Sequence, residues 1–143
     1  MILDAFIMTL ILQIAPQYDV PPYLIAAIII KESDGNPNVI NRNNENGTID
    51  RGLMQLNSSW FNDDNWDCAE TNIRAGCQHL RFMYDATKAK SPYWWAAIVS
   101  YNCGLRWHKN NSEPPVHSIN YANSIIKLWF ELDPMKARLY GVY

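Results

Sequence analysis

None of the 143 residues lies in an uninterrupted apolar run long enough for a membrane helix, which needs roughly 18 to 20 of them. Met1 to Ile14 is apolar, but it lacks a basic leader and carries Asp4. Pro16 and Gln17 follow Ala15 where a cleavage site would sit, so no convincing signal peptide is read. Positive charge is short as well: 12 Lys and Arg against 14 Asp and Glu leave a net charge of −2 and no basic stripe to neutralise phosphates, which excludes a nucleic-acid partner. Cysteine is scarce. Cys68, Cys77 and Cys103 allow at most one internal disulfide and leave one thiol over. With His79, His108 and His117 they show no CxxC or HxxxH spacing, so neither a metal site nor another cofactor is expected. Strand signals are few, no repeat is visible, and no linker-like stretch divides the chain. Residues 1–143 therefore read as one all-helical, or nearly all-helical, globular unit, and as a monomer.

What is present is apolar and aromatic. Hydrophobic residues make up 48 %, enough for a substantial core, and six Trp and eight Tyr stand among many Asn. That mixture suits a groove that stacks on sugar rings and hydrogen-bonds their hydroxyls, although aromatic residues also build cores. Helical spacing of Leu3, Phe6, Ile7, Leu10 and Ile14 predicts a first amphipathic helix. Pro21 and Pro22 open a second that runs to about Ser33, and an Asn- and Gly-rich loop follows from Asp34 to Asp50. A short helix is expected from Leu53 to about Phe61, then a polar turn to Asp67. A longer helix from Thr71 to Lys88 would turn Ile73, Cys77, Leu80, Met83 or Tyr84, and Thr87 inward. Ser91 and Pro92 would start a helix from Tyr93 to Asn102, with a loop from Gly104 to Pro115 after it. Ser118 would cap a last helix to Leu132, stopped by Pro134, with Tyr121, Ala122, Ile125, Ile126 and Trp129 on one face.

Glu32 stands out because it ends the apolar helical run Tyr23 to Ile30 and precedes the turn Ser33-Asp34-Gly35-Asn36-Pro37. Ile29 and Ile28 lie three and four residues back, so the carboxyl belongs to an apolar face, where desolvation favours the protonated form. A neutral carboxylic acid can donate a proton to a leaving group. Taken alone, Glu32 reads more readily as a salt-bridged surface acid at a helix end, paired with Lys31.

Four segments then follow in order: Lys31-Glu32-Ser33 with Gly35-Asn36-Pro37, Arg51-Gly52-Leu53-Met54-Gln55-Leu56-Asn57, Ser100-Tyr101-Asn102-Cys103-Gly104, and Tyr121. Together they resemble the soluble lytic transglycosylase family, over about Ala15 to Trp129. Thr48 to Gln55 and Cys68 to Gly76 look closest to small members associated with secretion systems, pili and phages. The resemblance implies a goose-type-lysozyme-like helical domain, free of any cofactor, acting on peptidoglycan glycan strands, hence at the cell wall, in the periplasm or outside the cell. It implies that Glu32 is the catalytic acid and then base at the MurNAc-β-1,4-GlcNAc bond. Ser33 would bind substrate or cap its helix. Gln55 would bind sugar substituents beside the Met54 backbone, or fix its loop. Asn102 would contact acetamido groups or orient Glu32, or serve as a helix C-cap. Tyr101 would line the groove, and Tyr121 would hydrogen-bond Glu32 or pack in the core.

Two features depart from the family pattern. Cys103 stands where many members have a small residue, and Ile49-Asp50-Arg51 replaces a more Ala/Gly-rich approach to Gly52. Asp50 opens an alternative, in which it holds a water opposite Glu32 and the enzyme is an inverting muramidase. Its other reading is a solvated surface acid. A noncatalytic peptidoglycan-binding or assembly module and an unrelated helical interaction protein are the remaining classes. A phage or secretion-system assembly would account for a chain that works outside the membrane without a visible leader.

Overall fold

The computed structural model describes residues 3–133. They are mostly helical, with six α-helices and one small antiparallel sheet. The chain groups into two compact units, residues 1–78 and 79–143. Among the described residues no helix is long and apolar enough to cross a membrane.

In residues 1–78, helix α1 (Ala5–Ile14) begins where the Asp4 carboxylate accepts the N–H groups of Phe6 and Ile7, at 2.8 and 3.4 Å. It buries Ile7, Ile11 and Ile14, spaced four and then three residues apart on one stripe. Phe6, expected on the inner face, is 66 % exposed, because the buried stripe is centred on Ile11. A 3₁₀ turn (Ala15–Tyr18) ends at Asp19 in the left-handed region, and α2 (Pro22–Ser33) follows with Pro22 at its first position. Leu24 to Ile29 are all buried, so α2 is a core helix rather than an amphipathic one.

The expected loop from Asp34 to Asp50 is partly ordered as strand. β1 (Ile40–Asn41), β2 (Asp50–Arg51) and β3 (Leu56–Asn57) pair antiparallel in that order, with Ile40 opposite Arg51 and Asp50 opposite Asn57. Between β1 and β2, Gly47 N–H donates to Asn44 O at 3.1 Å. Asn46 Oδ1 accepts from Thr48 N–H at 3.1 Å and from its hydroxyl at 2.7 Å. The short helix expected from Leu53 to Phe61 does not form. Gly52 and Gln55 take positive φ, 82° and 50°, which a right-handed helix cannot accommodate, and the segment becomes a turn leading into β3.

Helix α3 (Ala69–Thr87) starts two residues before the expected Thr71, and the division between the units falls inside it. In its first half Gly76 is buried where an added Cβ would overlap the Met54 side chain. In residues 79–143, α3 buries Leu80, Met83 and Thr87, and α4 (Trp94–Cys103) packs on α6 (Val116–Leu132). Tyr84 stacks on Trp94 with ring centroids 4.2 Å apart, and the Arg81 guanidinium lies 5.1 Å from the Tyr84 ring.

Three expected boundaries move. Ser91 and Pro92 do not start α4, whose N-cap is Tyr93 in extended conformation. Ser118 does not cap α6, which begins at Val116 behind Pro115 and so places Ser118 in its first turn. The loop from Gly104 to Pro115 contains a further helical turn, α5 (Arg106–Lys109). Pro134, expected to stop the last helix, lies outside the described residues. The inward face of α6 is otherwise as its spacing predicts: Ala122, Ile125, Ile126 and Trp129 are buried, and Tyr121 is half-buried.

Candidate active site

Glu32 is the penultimate residue of α2 and half-buried, one turn beyond Ile28 and Ile29, neither of which is exposed. The helix ends there because Asp34 (φ 56°) and Gly35 (φ 77°) are both left-handed, with Asp34 N–H donating to Ile30 O at 3.1 Å. A residue with a Cβ at Gly35 would also press against the Leu3 side chain, 3.1 Å away. Ser33 is buried, and its hydroxyl donates back to Ile29 O at 3.1 Å, tightening the last turn.

The Gly52 to Gln55 turn is held by a buried asparagine. Asn72, on α3 and with no exposed surface, accepts the Met54 N–H at 2.9 Å. Its Nδ2 donates to Trp66 O at 2.9 Å and to Arg51 O at 3.2 Å. That uses both amide hydrogens and the oxygen of one side chain on three separate backbone groups. Gly52 is required in this position, because a Cβ there would overlap Asn72 Nδ2 and stand 2.8 Å from Trp66 O. Sequence reasoning missed Asn72. The signal available was an Asn in the first turn of a helix beside apolar Ile73, where a buried polar side chain needs partners.

Gln55, left-handed and half-buried, donates through Nε2 to Val39 O at 3.1 Å and Gly52 O at 3.0 Å. Both hydrogens of its amide are thereby spent on the backbone, and Oε1 remains as the accepting end. Met54 is fully buried, with its N–H committed to Asn72. Asp50, in β2, is half-buried and accepts from Asn57 Nδ2 at 2.8 Å and Asn44 Nδ2 at 3.1 Å, while both amides also reach Thr48 Oγ1. The next residue, Arg51, donates to Phe61 O at 3.0 Å and lies 5.5 Å from the Trp66 ring.

In residues 79–143, Tyr101 and Asn102 occupy the last turn of α4. Tyr101 is half-buried against His79, with ring centroids 5.5 Å apart. Burial holds His79 largely neutral by lowering its pKa to about 4. Asn102 is exposed, and its Oδ1 accepts the hydroxyl of buried Ser118 at 2.7 Å. Gly104 (φ 84°) follows as the α4 C-cap, so Asn102 is not itself the cap. Of the six Trp, Trp94 and Trp129 are core. Trp95 and Trp107 are half-buried and meet edge to face at 6.1 Å, their indole N–H groups donating to Asn123 Oδ1 and Ser100 Oγ.

All three cysteines are free thiols. Cys77 is buried, which pushes its pKa up to about 12 and makes it inert. Cys68 is exposed, and hydrogen bonds from the Thr71 N–H and hydroxyl lower its pKa. Among the described residues no three His, Cys, Asp or Glu side chains are grouped to hold a metal ion.

Residues 1–78 thus contain a half-buried acid at a helix end, an amide at Gln55 on left-handed backbone and a half-buried carboxylate at Asp50. Residues 79–143 supply an exposed amide and a run of aromatic rings. The family model described as "Transglycosylase SLT domain" matches residues 9–120. No curated protein matches the chain.

Proposed function

The chain belongs to the transglycosylase SLT domain family, and from that membership we propose that it is a peptidoglycan lytic transglycosylase with Glu32 as its single catalytic acid and base. Proteins of this family cleave the glycan of the cell wall, so the substrate class is peptidoglycan and the place of action is the periplasm or beyond. The observation that carries the proposal is the position of Glu32 at the end of the buried helix α2, inside the matched segment. We read residues 1–143 as one catalytic domain, since the match runs through both units.

In this reading Glu32 protonates the glycosidic oxygen as the bond to the MurNAc anomeric carbon breaks. The carboxylate then removes the proton from the C6 hydroxyl of the same sugar as that oxygen attacks the anomeric carbon. The product is a 1,6-anhydro ring. The nucleophile belongs to the substrate, so no second carboxylate is needed to hold a water. Gln55 binds a sugar substituent through its free oxygen, Asn102 contacts acetamido groups, and Tyr101 and Tyr121 bind the same glycan. Ser33 and Met54 support the reaction from buried positions.

The hydrolytic alternative requires Asp50 to position water. Its carboxylate takes amide donors from Asn44 and Asn57, which supports a role in holding the sheet. Delivery by a phage or secretion-system assembly rests on the motif resemblance of Thr48 to Gln55 and of Cys68 to Gly76. Clearing of purified cell walls by the wild type and by Glu32→Gln tests the proposal, which predicts loss of clearing in the variant. Equal clearing by both would move the chemistry away from Glu32 and overturn the proposal, and no clearing by either would leave a noncatalytic wall-binding module as the better reading. Mass spectrometry of the released fragments then separates the two mechanisms, because an anhydro end is lighter than a reducing end by one water.

A further inference from the structure

We propose that Ser118 is a positioning residue that fixes which end of the Asn102 amide meets the glycan; the proposal rests on the reading of Asn102 as a substrate residue. Ser118 has no exposed surface and sits in the first turn of α6, where its N–H already donates to Pro115 O at 3.0 Å. Its hydroxyl has one proton to place, and the acceptor it finds is Asn102 Oδ1 at 2.7 Å. A buried hydroxyl without an acceptor is unfavourable, so this bond selects one of the two amide orientations. With Oδ1 turned inward, Nδ2 and its two N–H groups turn outward, and among the described residues they have no acceptor.

An exposed asparagine held by water alone flips freely and offers solvent a donor or an acceptor. Asn102 offers only donors. These match the carbonyl oxygen of an acetamido group or the oxygen of a sugar hydroxyl, and they do not match an acetamido N–H. Ser118 therefore acts on specificity without touching substrate, by holding the amide in its binding orientation before the glycan arrives.

A double-mutant cycle on kcat/KM for solubilisation of purified cell walls tests this. Ser118→Ala should lower kcat/KM by about fivefold to tenfold in the wild-type background, the worth of one hydrogen bond. In the Asn102→Ala background it should lower it by less than about twofold, because the group it positions is gone. Asn102→Asp keeps an acceptor for Ser118 but turns a carboxylate oxygen outward, and should lose as much activity as Asn102→Ala. Equal losses from Ser118→Ala in both backgrounds would mark a merely structural serine and overturn the proposal. So would an unchanged rate in Ser118→Ala, or wild-type activity in Asn102→Asp. Ser118→Cys, which keeps the volume and donates weakly, replaces Ser118→Ala if thermal unfolding shows the latter misfolded. Wild-type activity in Asn102→Ala would overturn both the role of Asn102 and the proposal, while leaving Glu32 to stand or fall on its own variant.

Discussion

In residues 1–78, Glu32 and Gln55 sit on or beside backbone bent through left-handed residues, Asp34 and Gly35 for one and Gly52 and Gln55 for the other. In residues 79–143, Tyr101, Asn102 and Tyr121 ride on the regular helices α4 and α6. The two amides are opposed as well. Gln55 turns its donors into the protein and leaves an acceptor, whereas Asn102 turns its acceptor inward and leaves donors. A strained turn needs a buried clamp, which Asn72 supplies with three hydrogen bonds. A helix needs only its register, and a single hydroxyl finishes the orientation.

The comparison can be broken most forcefully at Glu32. Glu32→Gln should lower wall-clearing activity by at least about 100-fold, the worth of a positioned acid and base, with little change in thermal stability. Asp50→Asn should stay within about tenfold of wild type, since an amide can still accept one bond from Asn57 or Asn44. A loss matching that of Glu32→Gln would move the mechanism to hydrolysis.

Stability sharpens it next. Asn72→Ala should cost about 3 kcal/mol in urea unfolding, because it strands the Met54 N–H and leaves the Arg51 and Trp66 carbonyls unmatched. Gly52→Ala should cost a similar roughly 2 to 4 kcal/mol, through positive φ and overlap with the same Asn72. Substitutions of equal cost at Asn102 would erase the distinction between clamp and register.

The second unit carries the acid sensitivity. Burial lowers the pKa of His79 from 6.5 to about 4, so the folded chain keeps this ring neutral where the unfolded chain takes up a proton. The contribution is complete above pH 6.5 and is lost as pH falls from there toward 4, by up to about 3 kcal/mol. Urea midpoints at pH 7.5 and 4.5 should therefore separate further in the wild type than in His79→Gln.

The smallest expected effect is at Gln55. Gln55→Ala loses two hydrogen bonds and keeps the left-handed strain, for about 2 kcal/mol, while Gln55→Gly recovers roughly 1 kcal/mol of it. Activity should fall in both variants. Parallel behaviour of stability and activity across the pair would make Gln55 a loop-holding residue alone.

The helices were legible because α1, α3 and α6 carry apolar residues at helical spacing and α2 carries an unbroken apolar run from Leu24 to Ile30. The place of Glu32 at the end of a buried helix was legible because the apolar run stops at Ile30 and a turn sequence follows Ser33. The segment from Leu53 to Phe61 misled because its composition suits a helix, and only the φ angles of Gly52 and Gln55 forbid one. The sheet was hidden for a related reason: two-residue strands are too short to show alternation. Asn72 and Ser118 were opaque because what they do depends on residues far away in the chain, the Arg51 to Trp66 backbone for one and Asn102 for the other.

The loop between β1 and β2 also bears on how long the protein lasts. Asn46-Gly47 is a sequence prone to deamidation, in which the glycine nitrogen attacks the asparagine side-chain carbonyl and closes a succinimide. Here that nitrogen is engaged with Asn44 O, and the carboxamide is drawn forward onto Thr48. The folded chain should accumulate isoaspartate at this dipeptide more slowly than the urea-unfolded chain, so the same bonds that shape the loop set its chemical shelf life.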